Sequence, residues 1–271
     1  MSDDGRGGYS SESAWCLVLT RALIFPGRVV FDHLPKTAGS AVSAWLSGQL
    51  GPGCVSQHLN GSHRQLLRQY GGICSILTGH ITFSPGEELD PRYQYITLLR
   101  EPYSRAISWL FYLTYNVVET LETKIFIRGA KDFLQSDGKK FSRHLLGGIS
   151  NYYVSHFSQI GDFPSGTNRE AFDSAVKAIK TYDVVGLYER MPRFLADVAD
   201  VLSIPRVESI DKINETVCNN YASLVSEELR DRIMELNDLD IAFYEDVKSW
   251  KEAHWREVAE AEARTVIPVW E

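Results

Sequence analysis

Four residues with anion-binding chemistry crowd into the hexapeptide Pro35–Ser40, PKTAGS. Lys36 brings a mobile positive charge, Thr37 and Ser40 bring hydroxyl donors, and Gly39 lets the backbone approach a ligand closely. At a helix start these groups join free backbone N–H donors, where the helix dipole favours a phosphate or sulfate. The P-loop of ATP- and GTP-binding proteins reads G-x-x-x-x-G-K-[ST], with lysine after the second glycine. Here Lys36 precedes the loop's only glycine, Gly39. That order excludes a Walker A loop and leaves an anion cradle or, as the plain alternative, an ordinary strand-to-helix loop with an exposed lysine.

Two further places carry chemistry. In LREPYSRAIS (Leu99–Ser108), Arg100 is followed in register by Pro102, Arg105 and Ser108. A guanidinium grips a phosphate dianion bidentately, and a serine hydroxyl completes the shell. Arg92, Arg100 and Arg105 stand near the single Glu101, a locally positive patch; the plain alternative is ion pairing of Arg100 and Arg105 with Glu101 or Asp90, and for Arg105 a share in binding and a bracing of the loop both stay open. In TGHITF (Thr78–Phe83), His80 is the candidate general base, because an ordinary imidazole pKa near 6.5 suits proton abstraction at neutral pH. His33, just before the cradle, is a rival base, and Glu87, Glu88 and Asp90 offer a carboxylate instead.

The elements that must position these groups follow from the hydrophobic pattern. RVVFDHL (Arg28–Leu34) reads as a buried strand and AVSAWLSGQL (Ala41–Leu50) as a helix, so PKTAGS is a strand-to-helix turn. Gly51–Gly72 reads as loop with a short helix near Arg64–Tyr70, CSILTGHITF (Cys74–Phe83) as a second strand and YQYITLLR (Tyr93–Arg100) as a third. Pro102 suits the first turn of a helix running to Asn116. Helical patterns follow at Ala130–Gln135, Lys139–Leu146, Arg169–Lys180 and Arg193–Leu202, with a short strand at Tyr182–Leu187 and two helices within Ser226–Ala263. Strands alternating with helices predict an α/β fold with an open parallel sheet flanked by helices and a helical C-terminal part. Ligands of such sheets bind outside the C-terminal strand ends, where Lys36, His80 and Arg100 all fall.

Composition narrows the partners. The 271 residues carry 28 Lys+Arg against 35 Asp+Glu, a net charge of -7, which argues against nucleic acid as a partner. Cys16, Cys54, Cys74 and Cys218 are scattered without metal-site or disulfide-framework spacing, which fits a reducing compartment. No carboxylate cluster suited to Mg²⁺ is visible, and no metal is expected. Residues 1–14 read as a disordered lead and 15–271 as one domain. The apolar run Ala14–Phe25 is short for a membrane span and interrupted by Arg21, so a cytoplasmic protein is expected. The aromatic residues Trp109 and Tyr112, at helical spacing with Leu113, read as core.

The pairing of PKTAGS with LREPYSRAIS resembles the PAPS-dependent sulfotransferases, particularly the carbohydrate branch that contains heparan sulfate 2-O-sulfotransferase. The likeness runs from about Val29 to Val247, with weaker echoes in TGHITF, DVVGLYER (Asp183–Arg190) and LNDLDIAFYEDV. It implies a sulfotransferase fold and transfer of the sulfuryl group of PAPS to a hydroxyl of a saccharide or other small acceptor, with PAP released. It further implies that Pro35, Lys36, Thr37, Ala38, Gly39, Ser40 and Ala41 hold the 5′-phosphosulfate, and that Arg100 and Ser108 hold the 3′-phosphate. Lys36 would stabilise the leaving phosphate and His80 would take the acceptor's proton. Ser142, Arg143, His144 and Asn214 fall where members of the family close over cofactor or acceptor. The branch carries a second histidine two residues before the base, where this chain has Thr78. The competing enzyme class is a nucleotide-dependent kinase or NTPase on a related P-loop fold.

Overall fold

A computed structural model describes residues 27–51, 53–159, 168–213 and 225–265, with side chains to 261 in the last segment. The expected N-terminal lead, the run Ala14–Phe25, Cys16, Asn214 and Cys218 lie outside the described residues. The chain builds β1 (Val29–Asp32), α1 (Gly39–Leu50), β2 (Leu59–Ser62), α2 (His63–Tyr70), β3 (Ile76–Thr82) and β4 (Gln94–Leu99). There follow α3 (Pro102–Tyr115), α4 (Lys124–Gln135), α5 (Arg143–Ile149), α6 (Tyr152–Ser158), α7 (Asn168–Ile179) and β5 (Val184–Leu187). A 3₁₀ turn (Tyr188–Arg190) leads into α8 (Met191–Leu202), and α9 (Glu227–Leu236) and α10 (Asp238–Thr265) end the described chain.

The five strands form one parallel sheet in the order β2-β3-β1-β4-β5. β1 is central and fully buried, and its alternate side chains serve two cores. Val29 and Phe31 pack with Val42 and Leu46 of α1 and with Phe194, Leu195 and Val198 of α8. Val30 faces the other way, into a core shared with Tyr153 and Phe157 of α6, Ala171 and Ala175 of α7, and Phe243 and Val247 of α10. Burial on both faces is what turns these strands into continuous apolar runs. A third cluster joins α3, α4, α5 and α9. The chain leaves β1 for β2 and β3 on one side and returns to β4 on the other, so the crevice beyond the end of β1 is a switch point. No helix among the described residues is long and apolar enough to cross a membrane.

Three departures from the sequence reading have local causes. The segment read as loop before α2 holds edge strand β2, whose LNGS sequence has no strand propensity of its own. It forms because Gly79 admits it: a Cβ there would stand 2.0 Å from the Leu59 carbonyl oxygen. Helix α5 starts at Arg143, later than the pattern suggests, because the Ser142 hydroxyl caps it by accepting from the Leu145 N–H at 3.2 Å. Helix α6, absent from the sequence reading, is held from outside, the Asp240 carboxylate accepting the N–H groups of Tyr153 and Val154 at 2.9 Å each.

Candidate functional site

The loop between β1 and α1 is wound tightly. Lys36 and Ala38 both adopt left-handed backbone conformations, φ 66° and 68°, which cost an L-residue of order 1–3 kcal/mol each and gather at binding sites. Among the described residues no backbone carbonyl accepts from the N–H groups of Lys36 to Ser40. The loop therefore presents a row of unpaired donors at the start of α1, whose first turn has no acidic residue. Two details differ from the sequence reading. Thr37 is fully buried and its hydroxyl donates to the Leu34 carbonyl at 2.8 Å, so it braces the turn and is not free for a ligand. The space above Gly39 is taken by a neighbour: a Cβ there would lie 1.8 Å from His33 Cδ2. Gly39 is needed by the packing of His33.

A cavity of about 940 Å³ opens over this loop. Pro35, Lys36, Ala38, Gly39, Ser40 and Ala41 line it from β1–α1, His80 from β3, Arg100 from the end of β4 and Ser108 from α3. Of the residues expected to hold the 5′-phosphosulfate and 3′-phosphate or to act in catalysis, Thr37 alone is not among its lining. The Lys36 ammonium lies 4.2 Å from the centre of the Tyr112 ring, and burial together with the nearby Arg100 lowers its pKa to about 8. Arg100 donates from its guanidinium to the Lys36 carbonyl at 3.3 Å and lies over the Tyr188 ring at 4.9 Å. The backbone of Arg100 is pinned on both sides: the Tyr153 hydroxyl accepts its N–H at 2.9 Å and donates to its carbonyl at 2.7 Å. Glu101 caps α3 by accepting from the N–H groups of Tyr103 and Ser104.

The positive patch read from sequence separates into parts. Arg92 is held by Asp90 at 2.6 Å before β4 begins, away from the cavity. Arg105 is fully buried, donates to the Gly148 carbonyl at 3.0 Å and lies 4.6 Å from the Tyr152 ring centre. It braces α3 against α6, while Ser108 on the same helix reaches the cavity. Of the loop carboxylates, Asp90 is held by Arg92, and Glu88 is exposed and does not line the cavity. Glu87 is buried, pairs with His63 at 2.8 Å and accepts the Ser84 N–H at 2.8 Å, so it is no candidate base.

Three imidazoles meet beside the cradle. His80 Nδ1–H donates to the His33 carbonyl at 2.6 Å, because a carbonyl can only accept, and this leaves Nε2 with the lone pair. Burial lowers its pKa first of all, so the ring stays neutral around pH 7. His33 is pushed down to about 3, by burial and then by His80, His58 and Lys36. The ring of His58, also lowered by burial, stands 4.4 Å from that of His80 and 5.0 Å from that of His33. Thr78 is buried and hydrogen-bonded to Ser43 at 2.8 Å, so His33 and His58 are what surround His80.

Sequence reasoning missed His58 because β2 was read as loop; the pairing of Leu59 with Gly79 is what carries it beside His80. It also read Trp109 and Tyr112 as core, and both line the cavity, as do Tyr188 and the segment Glu208–Ile213. The loop Ser84–Pro91 and the residues Ser142–His144 do not. Compared with known proteins, the chain matches no family model and no curated protein.

Proposed function

We propose that this chain is a PAPS-dependent O-sulfotransferase with the sulfotransferase fold, acting on a hydroxyl of a saccharide or other small acceptor and releasing PAP. The observation that carries the reading is the joining of two cation sites in one cavity. The strained loop of Lys36–Ser40 offers unpaired N–H donors, and Arg100 stands across it, linked to the Lys36 carbonyl at 3.3 Å. A nucleotide phosphorylated at both 3′ and 5′ positions needs two such grips, and the cavity volume of about 940 Å³ lies within the range of ligand pockets.

In this reading the loop amides and Ser40 hold the 5′ group, and Arg100 with Ser108 holds the 3′-phosphate. Lys36 opposes the charge that builds on the leaving phosphate oxygen, which is where preorganised cations contribute most. His80 Nε2 accepts the acceptor's proton as its oxygen attacks sulfur in line. Glu208–Ile213 and the aromatic side chains of Trp109 and Tyr112 form the remaining walls. Free thiols at Cys54 and Cys74 suit a cytoplasmic setting.

A thermal-shift comparison separates this from the kinase or NTPase reading. PAP without Mg²⁺ raises the melting temperature, and ATP with Mg²⁺ raises it less; stabilisation by ATP·Mg²⁺ alone would transfer the chain to the other class.

A further inference from the structure

We propose that His33, His58 and His80 form a binding site for one divalent transition metal of the zinc class, beside the anion cradle. An imidazole nitrogen from each residue lies within 4.8 Å of the other two. Three histidines with one open position is an established zinc ligand set, and neutral imidazole suits zinc, copper and nickel better than magnesium or calcium.

One of the three histidines already has the outer partner that a metal-binding histidine usually has. A ligating imidazole usually donates its other N–H to a carbonyl or carboxylate, which fixes the tautomer and aims the lone pair. His80 does this to the His33 carbonyl at 2.6 Å. His33 is held between its stacking on Phe31 and the bare backbone of Gly39, and its Nδ1 is buried without a hydrogen-bond partner among the described residues. Behind the cluster, Asp32 is fully buried, accepts from His156 and Tyr182, and has its Oδ1 unpartnered. Its negative charge acts on His80 and offsets part of a cation's charge, against Lys36 and Arg100 on the cavity side. Two ligands on a tetrahedral zinc, at about 2.0–2.1 Å each, stand about 3.3 Å apart. The cluster thus has to contract, and His58, the exposed member on the segment just before β2, is the one free to swing inward.

A metal on His80 would hold the Nε2 lone pair that its base role requires, so metal and base are alternative states of the same atom, and the metal is tested apart from transfer. The test is Co²⁺ titration of the untagged full-length chain, freed of metal by a chelator, with no nucleotide or acceptor present. The wild type should take up one Co²⁺ per chain with the visible absorption of a four-coordinate ion, and Zn²⁺ should displace it. His58→Ala should fold with an unchanged melting temperature and bind Co²⁺ at least about tenfold more weakly, the lower end of what losing even a supporting partner costs a metal site. His254→Ala, at an exposed position on α10, should bind as the wild type does. Absence of saturable absorption in the wild type, an unchanged Co²⁺ affinity in His58→Ala, or loss of binding in His254→Ala would each overturn the site.

Discussion

Lys36 carries two unusual conditions at once, a left-handed backbone and a pKa lowered to about 8 by burial and Arg100. Both become useful with an anion in the cradle, whose charge would favour the protonated lysine. The sign of the pH effect follows. Below about pH 8 Lys36 is charged and, in the proposed function, would contribute to anion binding; as pH rises through about 8 it loses its proton and that contribution would go. PAP affinity measured by calorimetry should therefore decline above pH 8, where the PAP phosphates are already fully ionised. Lys36→Met should bind PAP more weakly at pH 7 and lose that decline. A wild-type affinity that stays level to pH 9.5 would contradict the assignment. For His80, the donated Nδ1–H leaves a single possible base atom, Nε2. His80→Ala should abolish labelled-sulfate transfer while leaving PAP binding within about twofold; unchanged transfer would remove the base role.

At the scale of elements, the site depends on two close approaches that only glycine permits. Gly39 lets α1 begin against the His33 ring, and Gly79 lets β2 pair with β3 so that His58 arrives beside His80. Gly39→Ala should cost about 1–3 kcal/mol of stability, the usual range for overpacking, although alanine is otherwise favoured in a helix. The cost should be largely recovered when His33 is also cut to alanine. A double-mutant cycle by urea unfolding reads this coupling, and additive effects would show that the clash is relieved elsewhere.

The same scale shows what sequence patterns could carry. β1, β3, β4 and β5 were legible because burial on both faces makes them apolar runs, and α1 and α3 because their starts follow strand ends with Gly39 and Pro102. β2 and α6 were not, because LNGS pairs through the absence of a side chain at Gly79 and YYVSHFS is capped by Asp240, 86 and 87 positions away. Of the candidate site, Lys36, His80, Arg100 and Ser108 were readable as polar residues at strand ends and on the following helix. His58 was not, since its place depends on β2, and the separation of Arg105 from Ser108 depends on how α6 packs.

In the whole molecule, helices α6 and α10 are joined through a buried carboxylate. Asp240 of α10 is fully buried, accepts the first N–H groups of α6, and its pKa is raised to about 6, by burial against the opposing influence of Arg105. A raised carboxyl pKa means that the folded chain holds a proton the unfolded chain has lost. This contribution to stability is present below about pH 4 and is lost as pH rises to about 6. The effect is on the order of 3 kcal/mol. Urea unfolding of Asp240→Asn and wild type should therefore show a stability gap that favours the wild type most at pH 4.5 and narrows towards pH 7. A gap that widens with pH would contradict this reading.

The proposed function requires two separate phosphate grips within one cavity of a chain of net charge -7. Calorimetric titration without Mg²⁺, comparing PAP with adenosine 5′-phosphate on wild type and Arg100→Ala, tests it most directly. Wild type should prefer PAP, and Arg100→Ala should lose about 1.5–3 kcal/mol for PAP, the range for a hydrogen bond to a charged group, with little change for adenosine 5′-phosphate. Equal affinity of the wild type for the two nucleotides would contradict the account.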